Sequence, residues 1–311
     1  MTNQVTGITK TTNRHDDILK EVLGGDDSLS DRFELRTAEE CEGDGDKKFN
    51  HCVFCAPPSG FEDYSSAVKA AVDGLWMGQT EENKGGGFVF TSSGGIYGGG
   101  NDVDVSPIVT ESSPLPSDPT PRVERLIKAE NEVLKQEGGS VMRLAGLYLL
   151  DRGAHNYCEL LKSFTLGVLK NNKSFFQSSD SIFSYSYLKG LGDDNKSAKA
   201  EVAGRSDSLV NLLHYDDAAG SVIAALKRTI KIGNNGGSGG VFLVSDGHPL
   251  TRLQICESSL KNKRYSDRTI PKFLGSKENG DPVGKTYNGS FTNESLNWKP
   301  KYESFDKFMS A

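Results

Sequence analysis

The strongest constraint on the fold is an alternation of short apolar runs with segments of helical period along most of the chain. Val5–Ile8 and Arg32–Arg36 read as short strands. Between them, Asp16–Leu23 reads as a helix with Ile18, Leu19, Val22 and Leu23 on one face, stopped by Gly24 and Gly25. His51–Ala56 (HCVFCA) is a continuous apolar run ended by Pro57 and Pro58, the pattern of a strand buried on both faces of a parallel sheet. Phe61–Met77 carries Tyr64, Val68, Ala71, Val72 and Leu75 at helical spacing. Gly87–Ser93 is a second buried strand. Pro121–Lys135 is a helix with Pro121 at its first position and a stripe of Leu126, Ile127, Val133 and Leu134. Val141–Leu150 reads as a strand, Asp216–Lys227 as a helix bearing Ala219, Val222, Ile223 and Leu226, and Gly240–Val244 as a last strand. Strands alternating with helices predict an α/β fold with a doubly wound parallel sheet and sites at the carboxyl ends of its strands.

Composition narrows the function. A net charge of −6 without a basic cluster argues against nucleic-acid binding. No run of about 18 apolar residues predicts a membrane span. The polar Met1–Asn13 lacks the apolar core of a secretory signal. Five cysteines in 311 residues do not make a disulfide scaffold, so reduced thiols in an intracellular, soluble protein are expected. Cys52 and Cys55, three apart on a strand, point to opposite faces, and no metal site is expected. The Ser-, Asn- and Lys-rich stretch Asn171–Asp207 reads as an insertion, and Asn234–Gly240 as a loop. The expected organisation is a nucleotide-binding domain over 1–170, an insertion over 171–207, and the rest of the sheet with a small substrate-side region over 208–311.

The chemistry centres on Phe88–Tyr97 (FVFTSSGGIY). Thr91, Ser92 and Ser93 would stand at a carboxyl strand end, and Gly94 and Gly95 would let a ligand approach the backbone closely. On spacing alone a plain surface loop explains the segment equally well.

This segment resembles the corresponding strand and loop of extended short-chain dehydrogenases/reductases, the NAD(P)-dependent epimerase/dehydratase group. Further segments follow in that family's order. Pro114, Leu126, Ala129 and Glu130 resemble the active-site helix, and Arg143–Tyr148 the strand that lines the nicotinamide. Leu213–Ala219 (LHYDDAA) resembles a His-x-Asp-Asp segment, and Asn297-Trp298-x-Pro300-x-Tyr302 the tail. Ala56–Gly60 (APPSG), Thr91–Gly95 (TSSGG) and Asp151–His155 (DRGAH) are similar to an atypical branch of bacteria and photosynthetic organisms. The resemblance implies a cytoplasmic or plastid-stromal protein.

It also implies site residues. Ser93 and Tyr97 would polarise a substrate oxygen. Ala56, Pro57, Pro58, Thr91, Ser92, Ala145, Gly146 and Leu147 would line the cofactor, and Gly94, Gly95 and Arg152 the substrate. The family's proton-transferring Tyr and Lys positions hold Arg122 and Leu126 here, so that pair is absent. Arg122 is then a candidate ligand for a carboxylate or phosphate, and His155 a candidate replacement acid/base, against a plain structural histidine. His214 and Asp217 are read as a structural hinge. Thr9, Lys10 and Arg14 follow the first strand without a carboxylate, which favours NADP over NAD.

The family's Gly-rich dinucleotide turn has no counterpart. Val5–Ile8 matches the family's second strand, so the first strand, turn and helix are missing from the pattern. Two buried strands would lose their common partner, and cofactor affinity would be weak. The expected function is that of an NAD(P)-binding oxidoreductase or epimerase-like protein acting on a small metabolite, with a homodimer as the assembly this class allows. The alternative is a catalytically inactive dinucleotide-binding, regulatory or assembly protein.

Overall fold

Phe88, Val89 and Phe90 carry aromatic and β-branched side chains, which suit a pleated surface covered on both faces. All three are essentially inaccessible to solvent, each stabilising by roughly 1.5–3 kcal/mol. They lie on the fourth strand of the computed structural model, which describes residues 4–24, 26, 30–43, 48–79, 86–99, 102–155, 201–232 and 239–311.

The chain opens with β1 (Val5–Thr9), α1 (His15–Leu23), β2 (Phe33–Thr37) and α2 (Ala38–Gly43). β3 (His51–Phe54), α3 (Tyr64–Leu75) and β4 (Gly87–Ser93) follow. After β5 (Ile108–Val109) come α4 (Pro121–Leu134), β6 (Gly139–Leu144) and β7 (Gly146–Tyr148). The C-terminal part holds β8 (Glu201–Val202), β9 (Leu209–Val210), β10 (Leu212–His214), α5 (Tyr215–Ile232) and β11 (Val241–Val244). It ends with β12 (Leu250–Thr251), α6 (Arg252–Lys261), β13 (Lys272–Phe273), β14 (Thr286–Tyr287), α7 (Ser290–Leu296) and α8 (Phe305–Ser310).

The main sheet is parallel, in the order β11-β6-β4-β3. β1 and β2 form a separate parallel pair. The doubly wound α/β fold is therefore present, with its sheet in two pieces and no described strand between β3 and β1. This is where the sequence pattern lacks a strand. No residue of β1, α1 or β2 belongs to either hydrophobic core.

β3 corrects one expectation. It is an edge strand, not one buried on both faces: His51 and Val53 are exposed, and Cys52 and Phe54 half-buried. The face carrying Phe54 packs on Phe61, Tyr64 and Phe90. Neither core takes in His51 or Val53. Burial lifts the Cys52 thiol to about 12, the state of an inert structural cysteine.

The predicted strand Val141–Leu150 is two strands. Ala145 N donates to Val244 O at 2.9 Å, and Gly146 N to Asn211 O at 3.0 Å, so the chain leaves the main sheet there and pairs with β10. The buried face of α5 is Asp217, Ala218, Ser221, Val222 and Ala225, rotated from the predicted one, and Ile223 is exposed. Asp217 fixes that rotation by accepting Lys301 N at 2.7 Å and Tyr302 N at 3.0 Å. The two helices beside β3 and β4 begin on side-chain caps: Asp63 accepts from Ser66 N, and Thr120 from Val123 N. A second core joins Tyr148, Leu212, Ile255, Tyr265, Phe305 and Met309 in the C-terminal part. Among the described residues no helix is long and apolar enough to cross a membrane.

Candidate active site

The register of the main sheet sets Ser93 opposite Leu144, and Leu144 opposite Val244. The carboxyl ends of β4, β6 and β11 therefore form one edge, and the expected site residues of β4 and β6 meet there. Thr91 Oγ1 donates to Phe54 O at 3.4 Å. Ser92 is buried and donates to Glu130 Oε1 at 2.5 Å. Ser93 caps the following turn, its Oγ accepting Gly95 N at 3.1 Å. Its hydroxyl proton has no other partner among the described residues. Ala145, Gly146 and Leu147 continue from β6 beside this turn.

Beneath the turn lies a network that apolar periodicity did not reveal. Glu130 of α4 and Arg143 of β6 are 2% and 5% exposed and form a two-pronged ion pair, closest at 2.7 Å. Arg143 Nη1 also donates to the Tyr97 hydroxyl at 2.8 Å, and that hydroxyl donates to Glu111 O at 3.3 Å. Burial raises the Tyr97 pKa, with the Arg143 hydrogen bond acting against it. The Tyr97 hydroxyl is thus engaged on both its donor and acceptor sides, and Ser93 keeps the free donor. Glu130 shares a buried face with Leu126, Ala129 and Val133, and Arg143 interrupts an apolar strand. A glutamate on an apolar stripe and an arginine in a buried strand are together the sequence signal of such a pair.

The segment before β14 closes the site from the other side. Lys285 Nζ donates to Gly94 O at 3.3 Å and to Gly98 O. Tyr287 packs directly on Gly94: a Cβ there would lie 2.6 Å from the Tyr287 hydroxyl oxygen. Gly94→Ala is expected to push Tyr287 off the turn and cost about 1–3 kcal/mol, measured by denaturant unfolding. A neutral effect would show that Tyr287 does not pack there.

The other predicted residues lie apart. Arg122 is exposed in the first turn of α4, and Leu126 is buried in the core. Arg152 is exposed, with its guanidinium 5.2 Å from the Tyr215 ring centroid. His155 is fully buried in the second core against Tyr265 and Phe305, and its Nε2 pairs with Leu150 O at 3.0 Å. Desolvation holds its pKa down to about 4, so its imidazole is neutral near pH 7. His214 stacks on Tyr302 at 3.7 Å between ring centroids, consistent with packing at the start of α5. Ala56 O accepts the Tyr64 hydroxyl at 2.8 Å, tying the Ala56, Pro57 and Pro58 turn to α3. Thr9, Lys10 and Arg14 stand at the end of β1, in the separate strand pair. Thr9 Oγ1 bonds His15 Nε2 at 2.7 Å, and Arg14 lies 3.8 Å from Asp17.

The residues present fit the nicotinamide end of a dinucleotide and not its phosphate end. A free serine hydroxyl, small residues and a Gly turn stand at the strand ends. A pyrophosphate is favoured by a helix N-terminus free of carboxylates. Among the described residues, four of the five longest helices instead carry carboxylates at their start: Asp16 and Asp17 in α1, Asp63 at the cap of α3, Glu124 in α4, and Asp216 and Asp217 in α5; in α6 the cap is taken up by the Thr251 and Gln254 side chains. Asp63, held at about 2 mainly by the Ser66 backbone N–H, is fully ionised at neutral pH.

No protein-family model and no curated protein matches the chain. Solved structures do. A UDP-Glc/GlcNAc 4-epimerase from Campylobacter jejuni aligns with a TM-score of 0.63 at 13% identity, over 99% of this chain and 89% of that one. A human epimerase family protein solved with NADPH gives 0.58 at 11% identity, over 98% and 97%. A dTDP-glucose 4,6-dehydratase from Bacillus anthracis in complex with NAD gives 0.53 at 13% identity, over 99% and 94%. The fold is thus the Rossmann type seen in these epimerase and dehydratase structures. At these identities the likeness concerns the fold alone.

Proposed function

We propose that this protein holds the nicotinamide end of NADP or NAD against the carboxyl ends of β4 and β6, and acts on a small metabolite as an oxidoreductase or epimerase-like enzyme. The observation that carries this reading is the free Ser93 hydroxyl at the strand-end turn, beside Ala145–Leu147 and over the buried Glu130–Arg143 pair. When bound, the cofactor would accept or return a hydride. Ser93 would donate a hydrogen bond to the substrate oxygen as its charge changes, and the Arg143-anchored Tyr97 would keep the turn in place. Lys10 and Arg14 favour NADP if the β1 end reaches the ribose. The structures solved with NAD and with NADPH support the cofactor class. A small-molecule substrate and a homodimer belong to the same proposal.

A second reading is a dinucleotide-binding protein without turnover, favoured by Arg122 and Leu126 at the proton-transfer positions and by the carboxylates at the starts of α1, α3, α4 and α5. Melting shifts with NADPH and NADH test the shared claim: a cofactor at 100 times its Kd stabilises by about 2.7 kcal/mol. NADPH is expected to shift the transition further than NADH. Ser93→Ala is expected to keep that shift and, in the enzymatic reading, to lower kcat by about tenfold or more. Unchanged turnover in Ser93→Ala would remove its catalytic role.

A further inference from the structure

Lys285 is the one functional side chain at the site that no sequence motif pointed to. It reaches from the segment before β14 into the arc of the Gly94–Gly98 turn. Its Nζ lies 5.9 Å from the Tyr97 ring centroid and 5.6 Å from that of Tyr287. Among the described residues no carboxylate pairs with it. Its environment has a specific donor count. A neutral amine has two N–H groups and one lone pair, and the Gly94 and Gly98 carbonyl oxygens take both N–H groups. The lone pair is then left free. An ammonium would carry a third N–H with no oxygen partner among the described residues.

We infer that Lys285 is a reactive amine that captures a small carbonyl compound as an imine. The amine lone pair forms a bond to the carbonyl carbon, the carbonyl π electrons pass to oxygen, and that oxygen takes up a proton as the nitrogen releases one. The resulting carbinolamine loses water as the C=N bond forms. Amine and carbonyl give imine and water, with no change of oxidation state. Ser93, next to Gly94 in the chain, offers the free hydroxyl that can hold the carbonyl oxygen. The groups that face the amine are the rings of Tyr97 and Tyr287, with Arg143, Glu130 and Glu111 behind Tyr97. Desolvation lowers the lysine pKa to about 8, so a sizeable neutral fraction exists near physiological pH.

The inference stands apart from the dinucleotide reading, because imine formation needs no cofactor. The full chain is incubated with glyoxylate and cyanoborohydride from pH 6 to 10, digested, and the reduced adduct quantified at each lysine by mass spectrometry. Lys285 is expected to react at least tenfold faster than the median lysine at pH 7.5, with half-maximal labelling near pH 8. Lys285→Arg is expected to lose that fast-forming adduct. Labelling at Lys285 no faster than at exposed lysines, or rising only near pH 10, would overturn the inference. The site mapping on the unaltered chain decides the matter even if the arginine variant folds poorly. NADPH binding, read separately, has no bearing on the result.

Discussion

Arg143→Leu is expected to cost about 3–5 kcal/mol of folding stability. The replacement leaves the Glu130 carboxylate buried at 2% exposure without its cation, and it also strips Tyr97 and Ser92 of a fixed neighbourhood. The pair itself contributes little compared with an apolar isostere, because desolvating two charges offsets their attraction. Glu130→Gln combined with Arg143→Met should therefore recover most of the loss. Urea unfolding of the parent, the single variant and the double variant gives the comparison. A single-variant loss below about 1 kcal/mol would mean that the two charges are solvated and that the turn is not anchored in the way described.

Asp246→Asn is expected to act in the opposite direction. Asp246 follows β11 on the same sheet edge and is 6% exposed. One carboxylate oxygen accepts His248 N at 2.9 Å, and the other makes no hydrogen bond of normal geometry among the described residues. Desolvation lifts its pKa from 3.8 to about 7, against the hydrogen bond from His248. The native state therefore holds a proton over a pH range in which the unfolded chain has released it. This group's contribution is full below pH 4, falls as pH rises towards 7, and is lost above that. The slope is about 1.4 kcal/mol per pH unit at most. The amide variant removes this dependence. Asp246→Asn is expected to be roughly 2–4 kcal/mol more stable than the parent at pH 8 and nearly equal to it at pH 4. A difference that does not change between pH 4 and 8 would show that Asp246 is ionised at neutral pH like a surface carboxylate.

Much of the fold was legible because apolar period reports burial directly. β4 follows the predicted bounds, and α1, α3 and α4 differ from their predicted spans only at their ends. What period does not carry is the pairing of strands. The break at Ala145 depends on which strand each backbone N–H meets, and those partners, Val244 and Asn211, are distant in sequence. His51–Ala56 misled for a related reason. An apolar run signals that burial is available, while β3 packs only its Phe54 face and leaves Val53 exposed. At the site, Thr91–Gly95 stood out because small hydroxyl residues and glycines ended a buried strand. Glu130 and Arg143 entered only as members of longer motifs, and Lys285 not at all, because a charge reads as solvated until its buried partner is known. His155 drew notice through a motif, and its aromatic surroundings are a tertiary property.

The most direct measurement is a titration of the full chain with reduced nicotinamide mononucleotide and with NADPH, read by fluorescence transfer from Trp76 and Trp298 to the nicotinamide. A site that holds the nicotinamide end, with carboxylates at the starts of most of its described long helices, should bind both, the dinucleotide no more than about tenfold tighter, or 1.4 kcal/mol. Transfer from neither compound would contradict the account.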